Sequence, residues 1–143
     1  MTFELSELVL GVPFNRHLRL EGAGEWLALD LHDEVTNHLG TMHAGALFTL
    51  GEAASGLCAV RALGGEFVEA RAVTRSASIE FRRPAVGRIR TLAEPLQSAE
   101  ETLELLEREG RASLDVAVKL LDRTDAEVAA LRITWSLRRP RST

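Results

Sequence analysis

The sequence contains a single cysteine, Cys58, among its 143 residues, so no intrachain disulfide can form. A chain without disulfides fits a reducing compartment, and the cytoplasm is the simplest setting for this protein. Cys58 lies in an apolar stretch, where an unpaired cysteine usually serves as a small hydrophobic side chain.

A strong excess of charge is also missing. Lys and Arg number 17 and Asp and Glu number 21, which gives a net charge of −4 and does not favour a nucleic-acid partner. Residues 3–7 are acidic where a signal peptide would be basic, and no uninterrupted apolar run reaches 18 residues. We therefore expect neither a signal peptide nor a membrane span. Since repeats and linkers are missing too, residues 1–143 are predicted to form one domain.

One nearly uncharged stretch stands out, at residues 37–61, which read NHLGTMHAGALFTLGEAASGLCAVR. It predicts a polar turn that leads into a helix, and between His43 and Arg61 the only ionisable acid or base is Glu52. Each glycine within this helix costs about 1 kcal/mol relative to alanine. Such a helix persists only if tertiary packing holds it, so we expect it at the centre of the fold.

The two faces of this predicted helix differ. One face carries the apolar residues Leu47, Leu50, Ala54 and Leu57 and suits a core. The other is small or polar, so another backbone or a ligand can come close; it carries Gly45, Phe48, Thr49, Glu52, Ser55 and Gly56. A carboxylate on a buried helix is costly unless it is paired or used. Glu52 is therefore either hydrogen-bonded at a subunit interface or part of an active site.

Alternating apolar residues predict about six strands, at residues 16–21, 26–32, 69–81, 87–94, 112–120 and 128–137. In the third of these, the even-numbered residues from Ala70 to Glu80 are predicted to form one small, polar face. Residues 2–10 predict a short helix that packs on the fold or covers a pocket, and residues 98–109 predict an acidic helix capped by Ser98. Because only one helix is placed for a crossover, a doubly wound parallel sheet is disfavoured. We expect an α+β fold with a curved antiparallel sheet around one central helix.

Residues 37–52 read N-x-x-G-x-x-H-A-G-x-x-F-x-x-x-E. This pattern resembles the motif of the hotdog-fold acyl-CoA thioesterases of the PaaI type, which is close to N-x-x-G-x-x-H-G-G-x-x-F-x-L-x-D/E. The chain departs from it at Ala44, where the family has glycine, and at Glu52, where most members have aspartate. Farther on, Pro84-Ala85 and Gly87 match the end of a strand in the same family.

The resemblance implies a hotdog fold and hydrolysis of an acyl-CoA to a free carboxylic acid and coenzyme A. Glu52 would be the general base or the nucleophile, and the sequence does not choose between these roles. The backbone amide of Ala44 would stabilise the oxyanion. Asn37 would orient the water or the thioester carbonyl, and Thr74, found by counting back from Pro84, would hold the attacking water.

The resemblance also implies substrate contacts. His43 would shape the helix start and bind the carbonyl, Gly45 would keep the turn open, and Phe48 would line an apolar pocket. In relatives the turn and the acid meet across a dimer interface, so the site would need two chains in a homodimer or homotetramer. No metal ion or other cofactor is expected.

Arginines cluster around the predicted turn at Pro84. Arg82 and Arg83, together with Arg88 and Arg90, suit the phosphates of coenzyme A, because guanidinium groups match phosphate oxygens. The alternative is that they only keep a loop soluble.

Another class of function remains open, a non-catalytic hotdog oligomer that binds acyl groups or acyl-CoA, because Ala44 and Glu52 depart from the family pattern. A hydratase of the same fold is disfavoured, since the turn lacks the prolines of those enzymes. The sequence does not identify the acyl group, or decide between coenzyme A and an acyl carrier protein.

Overall fold

The computed structural model describes residues 5–140. Its helices are α1 (Leu5–Leu10), α2 (Pro13–His17), α3 (Ala44–Leu63), α4 (Gly65–Glu69) and α5 (Ala99–Glu109), with a 3-10 turn at Asp33–Val35. Its strands are β1 (Glu21–Ala23), β2 (Trp26–Asp30), β3 (Arg71–Phe81), β4 (Arg88–Pro95), β5 (Arg111–Leu121) and β6 (Glu127–Arg138).

The strands form one six-stranded sheet in the order β1-β2-β4-β5-β6-β3, and every neighbouring pair is antiparallel. Alternate residues of β4, β5 and β6 are buried against α3; fully covered examples are Ile89, Leu114, Val116, Leu120 and Ile133. The α+β prediction of a curved antiparallel sheet around one central helix, the hotdog fold, is confirmed.

Helix α3 is held by packing, as its glycines predicted. Its predicted core face, Leu47, Leu50, Ala54 and Leu57, is at most 3% exposed. Gly51 sits so close to β6 that a Cβ there would lie 2.5 Å from a methyl group of Leu131. A glycine in this helix therefore permits close contact with the sheet and offsets its cost in helix propensity.

The expectation that nothing in the chain is long and apolar enough to span a membrane needs correction. Helix α3 has 20 residues and a mean hydropathy of 1.3, which passes that test by length and composition. Of its apolar window, 72% is buried inside the fold. Core helices of soluble proteins pass the same test, and the burial of α3 is what that explanation predicts.

The strand predicted at residues 16–21 is wrong. Residues 13–17 form helix α2, with Pro13 in its first turn, where a proline fits because its missing N–H would be unpaired. The first strand is β1, which pairs with β2 through Ala23 and Trp26 around a turn at Gly24, whose φ is +60°. Alternation at Leu18 and Leu20 misled the prediction, since those residues belong to the link between α2 and β1.

The single even-numbered face predicted for residues 70–80 is also wrong. A β-bulge interrupts the pairing of β3 with β6: Thr74 lies opposite Trp135, whereas Ser76 lies opposite Thr134. The extra residue, Arg75, reverses the alternation beyond it. Ala72 and Thr74 therefore share the helix side of the sheet with Ala77 and Ile79, not with Ser76 and Ser78.

The acidic helix was predicted correctly. Helix α5 begins after Ser98, whose hydroxyl accepts the backbone N–H of Glu101 at 3.0 Å. It ends at Gly110, which has a left-handed conformation with φ of +75°. The predicted N-terminal helix is found as α1, and Thr2 to Glu4 lie outside the described residues.

Candidate functional site

A pocket of about 630 Å³ lies beside α3. Its walls come from α1, α2, α3, α4 and the start of β3, and nearly all are apolar; the aromatic members are Phe14, Phe48, Phe67 and Trp135. Among residues 5–140, Glu52 is the only ionisable residue in the lining. The size and composition of the pocket are those of a site for a mostly apolar small molecule with one polar anchor.

Glu52 and Thr74 meet at this pocket, although they are far apart in the sequence. The hydroxyl of Thr74 donates a hydrogen bond to Oε2 of Glu52 at 2.9 Å. Among residues 5–140, no donor reaches the other carboxylate oxygen, Oε1. Glu52 is half-buried and lines the pocket, and its carboxylate is held by the Thr74 hydroxyl through Oε2 alone among the described side chains.

A second hydrogen-bond chain supports the backbone at Glu52. Ser55 is fully buried, and its hydroxyl donates to the carbonyl oxygen of Glu52 at 2.6 Å. The same hydroxyl accepts the indole N–H of Trp135 at 2.9 Å. The ring of Phe67 stands edge-on to Trp135, with the ring centres 5.3 Å apart. Trp135 and Ser55 therefore tie this turn of α3 to β6.

The side chain of Asn37 forms its hydrogen bonds within its own turn. Its Oδ1 accepts the backbone N–H groups of Leu39 at 2.9 Å and Thr41 at 3.0 Å. Its Nδ2 donates to the hydroxyl of Thr41 at 2.8 Å. In a single chain, Asn37 thus shapes the loop before α3, as asparagine often does in turns.

His43, Ala44 and Gly45 form the exposed N-terminus of α3. Nδ1 of His43 accepts the backbone N–H of Gly45 at 2.8 Å, which caps the helix. An accepting ring nitrogen carries no proton, so the neutral ring has its N–H at Nε2. The N–H of Ala44 has no hydrogen-bond acceptor among the described residues. The backbone N–H of Ala44 is therefore available at the positive end of the helix dipole.

The pocket does not bring all predicted site residues together. Glu52, Thr74 and Phe48 line it, whereas Ala44 is eight residues before Glu52, or about 12 Å along the helix. Asn37, His43 and Gly45 lie near Ala44 at that end, outside the lining. Within one chain, the carboxylate of Glu52 and the exposed amide of Ala44 therefore lie too far apart to act on the same carbonyl group.

The arginines predicted to meet phosphates differ in their surroundings. Arg82 pairs with Glu127 at 2.8 Å and with Glu80 at 3.3 Å. Arg83 is exposed and pairs with no carboxylate among the described residues. Neither lines the pocket. The charge of Arg82 is therefore largely neutralised, which makes it a poor phosphate ligand.

Cys58 is buried on α3, and that burial is the main cause that raises the pKa of its thiol to about 11. A thiol with this pKa stays protonated at neutral pH, and only the thiolate is a strong nucleophile. Cys58 is thus a core side chain, as its apolar setting predicted.

Sequence reasoning missed two parts of the pocket. Helices α1 and α2 supply Leu8, Val12 and Phe14, and the predicted role of residues 2–10 left open whether they packed or covered a pocket. Trp135 was not singled out beyond its place in the strand predicted at residues 128–137. Its place beside Glu52 depends on the pairing of β6 with β3, which no local pattern encodes.

Residues 19–137 match the profile of DUF4442, a domain of unknown function. The match spans most of the sequence. The chain belongs to the DUF4442 family. No curated protein matches this DUF4442 sequence significantly.

Solved structures share the fold of this DUF4442 protein. A Pseudomonas aeruginosa protein of unknown function, described as a probable thioesterase, is 25% identical with a TM-score of 0.79, over 94% of this chain and 93% of that one. A Chlorobaculum tepidum protein of unknown function is 15% identical with a TM-score of 0.81, over 95% and 93%. A Bacillus halodurans protein determined with CoA is 21% identical with a TM-score of 0.66, over 87% and 76%. The shared fold is the hotdog fold.

Proposed function

We propose that the protein is an acyl-CoA thioesterase of the PaaI-like type, which hydrolyses its substrate to a carboxylic acid and coenzyme A. The observation that carries this proposal is the hydrogen bond between Thr74 and Glu52 at the wall of an apolar pocket. The relative described as a probable thioesterase, and the one determined with CoA, support it.

In this proposal the acyl group occupies the apolar pocket and its thioester carbonyl lies beside Glu52. The Thr74 hydroxyl donates a hydrogen bond to Oε2 of Glu52, so the Thr74 oxygen can accept a hydrogen bond from the attacking water. Oε1 of Glu52 then takes a proton from that water. The resulting hydroxide adds to the carbonyl carbon. Collapse of the tetrahedral intermediate breaks the carbon–sulfur bond, and the proton on Glu52 passes to the departing thiolate. Direct attack by Glu52 would use the same oxygen.

The oxyanion needs donors that one chain does not place beside Glu52. We propose that the Ala44 amide of a second copy supplies one, with His43 beside it and Asn37 holding the turn in shape. Strand β3 is an edge strand, and its Val73 and Phe81 are 61% and 52% exposed. An exposed edge with apolar side chains suits an interface between copies, so a homodimer or a tetramer of dimers would complete the site.

The decisive experiment measures thiol release from short, long and aromatic acyl-CoAs by wild type and by Glu52→Gln. Gln keeps the shape and an acceptor for Thr74, and it removes the base. We expect the rate to fall by about 10²- to 10⁴-fold. Glu104→Gln, on the exposed face of α5, is the matched control and should retain the wild-type rate.

The second candidate is a non-catalytic protein that binds acyl groups or acyl-CoA. It is favoured by Asn37, whose polar atoms are already engaged within its own turn. If wild type cleaves no thioester above background, or if Glu52→Gln equals wild type, the thioesterase proposal is wrong. Saturable binding of an acyl-CoA without turnover would then support the second candidate.

A further inference from the structure

Three arginines face one another at one end of the sheet. Arg71 begins β3, Arg138 ends β6 and Arg111 begins β5, and Arg138 is the register partner of both others. Directly opposite residues point to the same face of a sheet, and like charges in such positions are destabilising. A negatively charged partner would offset the repulsion between these three arginines.

Of the 15 arginines in residues 5–140, nine pair with no carboxylate, and these three are among them. Six arginines pair with carboxylates, namely Arg19, Arg82, Arg88, Arg90, Arg108 and Arg132. Across residues 5–140, no carboxylate lies within ion-pair distance of Arg71, Arg111 or Arg138. All three are exposed, so their charges are open to a ligand from solution.

A surface pocket of about 470 Å³ lies at this position. Arg111 and Arg138 line it together with Arg75, the extra residue of the β-bulge in β3. Its one carboxylate, Glu109, is already engaged by Arg108 at 3.3 Å. Several guanidinium groups around a concave surface of an acidic protein match the geometry and charge of phosphate groups.

This arginine cluster, Arg71, Arg75, Arg111 and Arg138, lies close to the acyl pocket. Ala72 and Thr74 of β3 line the acyl pocket, and Arg71 and Arg75 are their direct neighbours along the same strand. Thr74 is three positions along the strand from Arg71, which is about 10 Å. The pantetheine arm of coenzyme A, which is longer than this spacing, would cross from Thr74 over the end of the sheet to the cluster.

We propose that the arginine cluster binds the phosphate groups of coenzyme A while the acyl group occupies the pocket at Glu52. This inference rests on the proposed function for its substrate. It assigns coenzyme A, which carries several phosphate groups, as the carrier of the acyl group. The arginine cluster then takes the role of phosphate ligand that was predicted for Arg82. The deciding feature is a set of unpaired arginines in register on neighbouring strands.

The test compares the affinities of the full chain for coenzyme A, which carries phosphate groups, and for pantetheine, which carries none. Both affinities are measured by calorimetric titration. Wild type should bind coenzyme A more tightly, and added salt should weaken that binding. Arg111→Ala and Arg138→Ala should each weaken coenzyme A binding by about tenfold, without changing the affinity for pantetheine. Arg132→Ala, on the same strand but paired with Asp115, is the matched control and should bind both thiols as wild type does.

Thermal unfolding separates a lost ligand contact from a damaged fold. Removing one of several opposed like charges should leave the Tm unchanged or raise it. The inference would be overturned if the arginine variants lost affinity for coenzyme A and for pantetheine equally, or if they lost no affinity for coenzyme A. Weaker turnover of carrier-protein thioesters with unchanged coenzyme A binding would overturn it as well.

The two proposals fail in different ways. Arginine-dependent binding of coenzyme A without any thioester cleavage would contradict the thioesterase and leave the phosphate site standing. Cleavage that requires Glu52, with equal affinity for coenzyme A and pantetheine, would keep the thioesterase and overturn the phosphate site.

Discussion

The amide N–H of Ala44 can be removed without disturbing the helix that carries it. Ala44 is the first residue of α3, where proline is well tolerated. The preceding residue, His43, has φ of −62° and ψ of 142°, an extended conformation that a following proline requires. Ala44→Pro should therefore fold normally and lose about 10²- to 10³-fold in kcat if this amide stabilises the oxyanion.

Steady-state kinetics and thermal unfolding check this prediction together. Ala44→Gly keeps the N–H and serves as the control, with a rate near that of wild type. A proline variant that keeps full activity and a normal Tm would remove Ala44 from the mechanism.

The strands β5 and β6 are joined by a polar cluster at Asp115 on the outer side of the sheet. Its carboxylate accepts hydrogen bonds from Thr134 at 2.6 Å, Arg132 at 3.1 Å and Gln97 at 3.1 Å. These bonds, that of Thr134 first, hold the pKa of Asp115 below its usual value. A carboxyl group whose pKa is lowered by folding stabilises the native state above its unfolded pKa, and this contribution disappears as pH falls through the folded pKa.

Asp115→Asn should therefore lower the free energy of unfolding by about 1–2 kcal/mol at pH 7. The deficit should begin to shrink below about pH 4, where the carboxyl of the unfolded chain becomes protonated, and it should disappear only below the lowered pKa of the folded state. Denaturant titrations at pH 7 and pH 3 measure both values. Glu25→Gln, in the exposed turn between β1 and β2, is the control. A deficit that stays constant with pH would show that the charge of Asp115 is not the source of the effect.

The bulge in β3 shows how one irregular pair changes an entire element. Before it, Thr74 faces α3, and after it Ile79 does so, although strict alternation would place these two residues on opposite faces. The same bulge leaves Arg75 without a register partner and allows it to join the surface pocket with Arg111 and Arg138. The surface pocket therefore includes the extra residue of this irregularity, whereas the acyl pocket is lined by Ala72 and Thr74, which precede it.

A site shared between two chains makes a prediction about mixtures. Glu52→Gln and Ala44→Pro each inactivate both sites of a homodimer, whereas a mixed dimer keeps one site with an intact Glu52 and an intact Ala44. Mixing the two variants with exchange of subunits should restore roughly a quarter of wild-type activity. The measurement is thiol release before and after exchange, with each variant alone as the control. Activity that fails to return would place both groups in one chain or make the enzyme a monomer.

Much of the architecture was predictable because periodicity is local. Alternation located β2, β4, β5 and β6, and the glycine-rich apolar helix was correctly expected at the centre. Thr74 was assigned to the attacking water by counting back from Pro84, and the structure places its hydroxyl 2.9 Å from Oε2 of Glu52, a contact that was not predicted. The strand at residues 16–21 failed because two leucines in a link mimic alternation, while Pro13 favours a helix there.

Chemistry and tertiary position contributed different parts of the candidate site. The amino-acid order alone singled out Glu52 as the lone acid of an apolar helix, and it marked the turn that begins α3. The structure alone decided that Asn37 is engaged in its own turn, that α1 and α2 wall the pocket, and that Arg82 is neutralised. It alone brought Arg71, Arg111 and Arg138 into register. The physical reason is that alternation and helical period encode which face of an element is buried, whereas the partners across that face are set by strand pairing between distant parts of the chain.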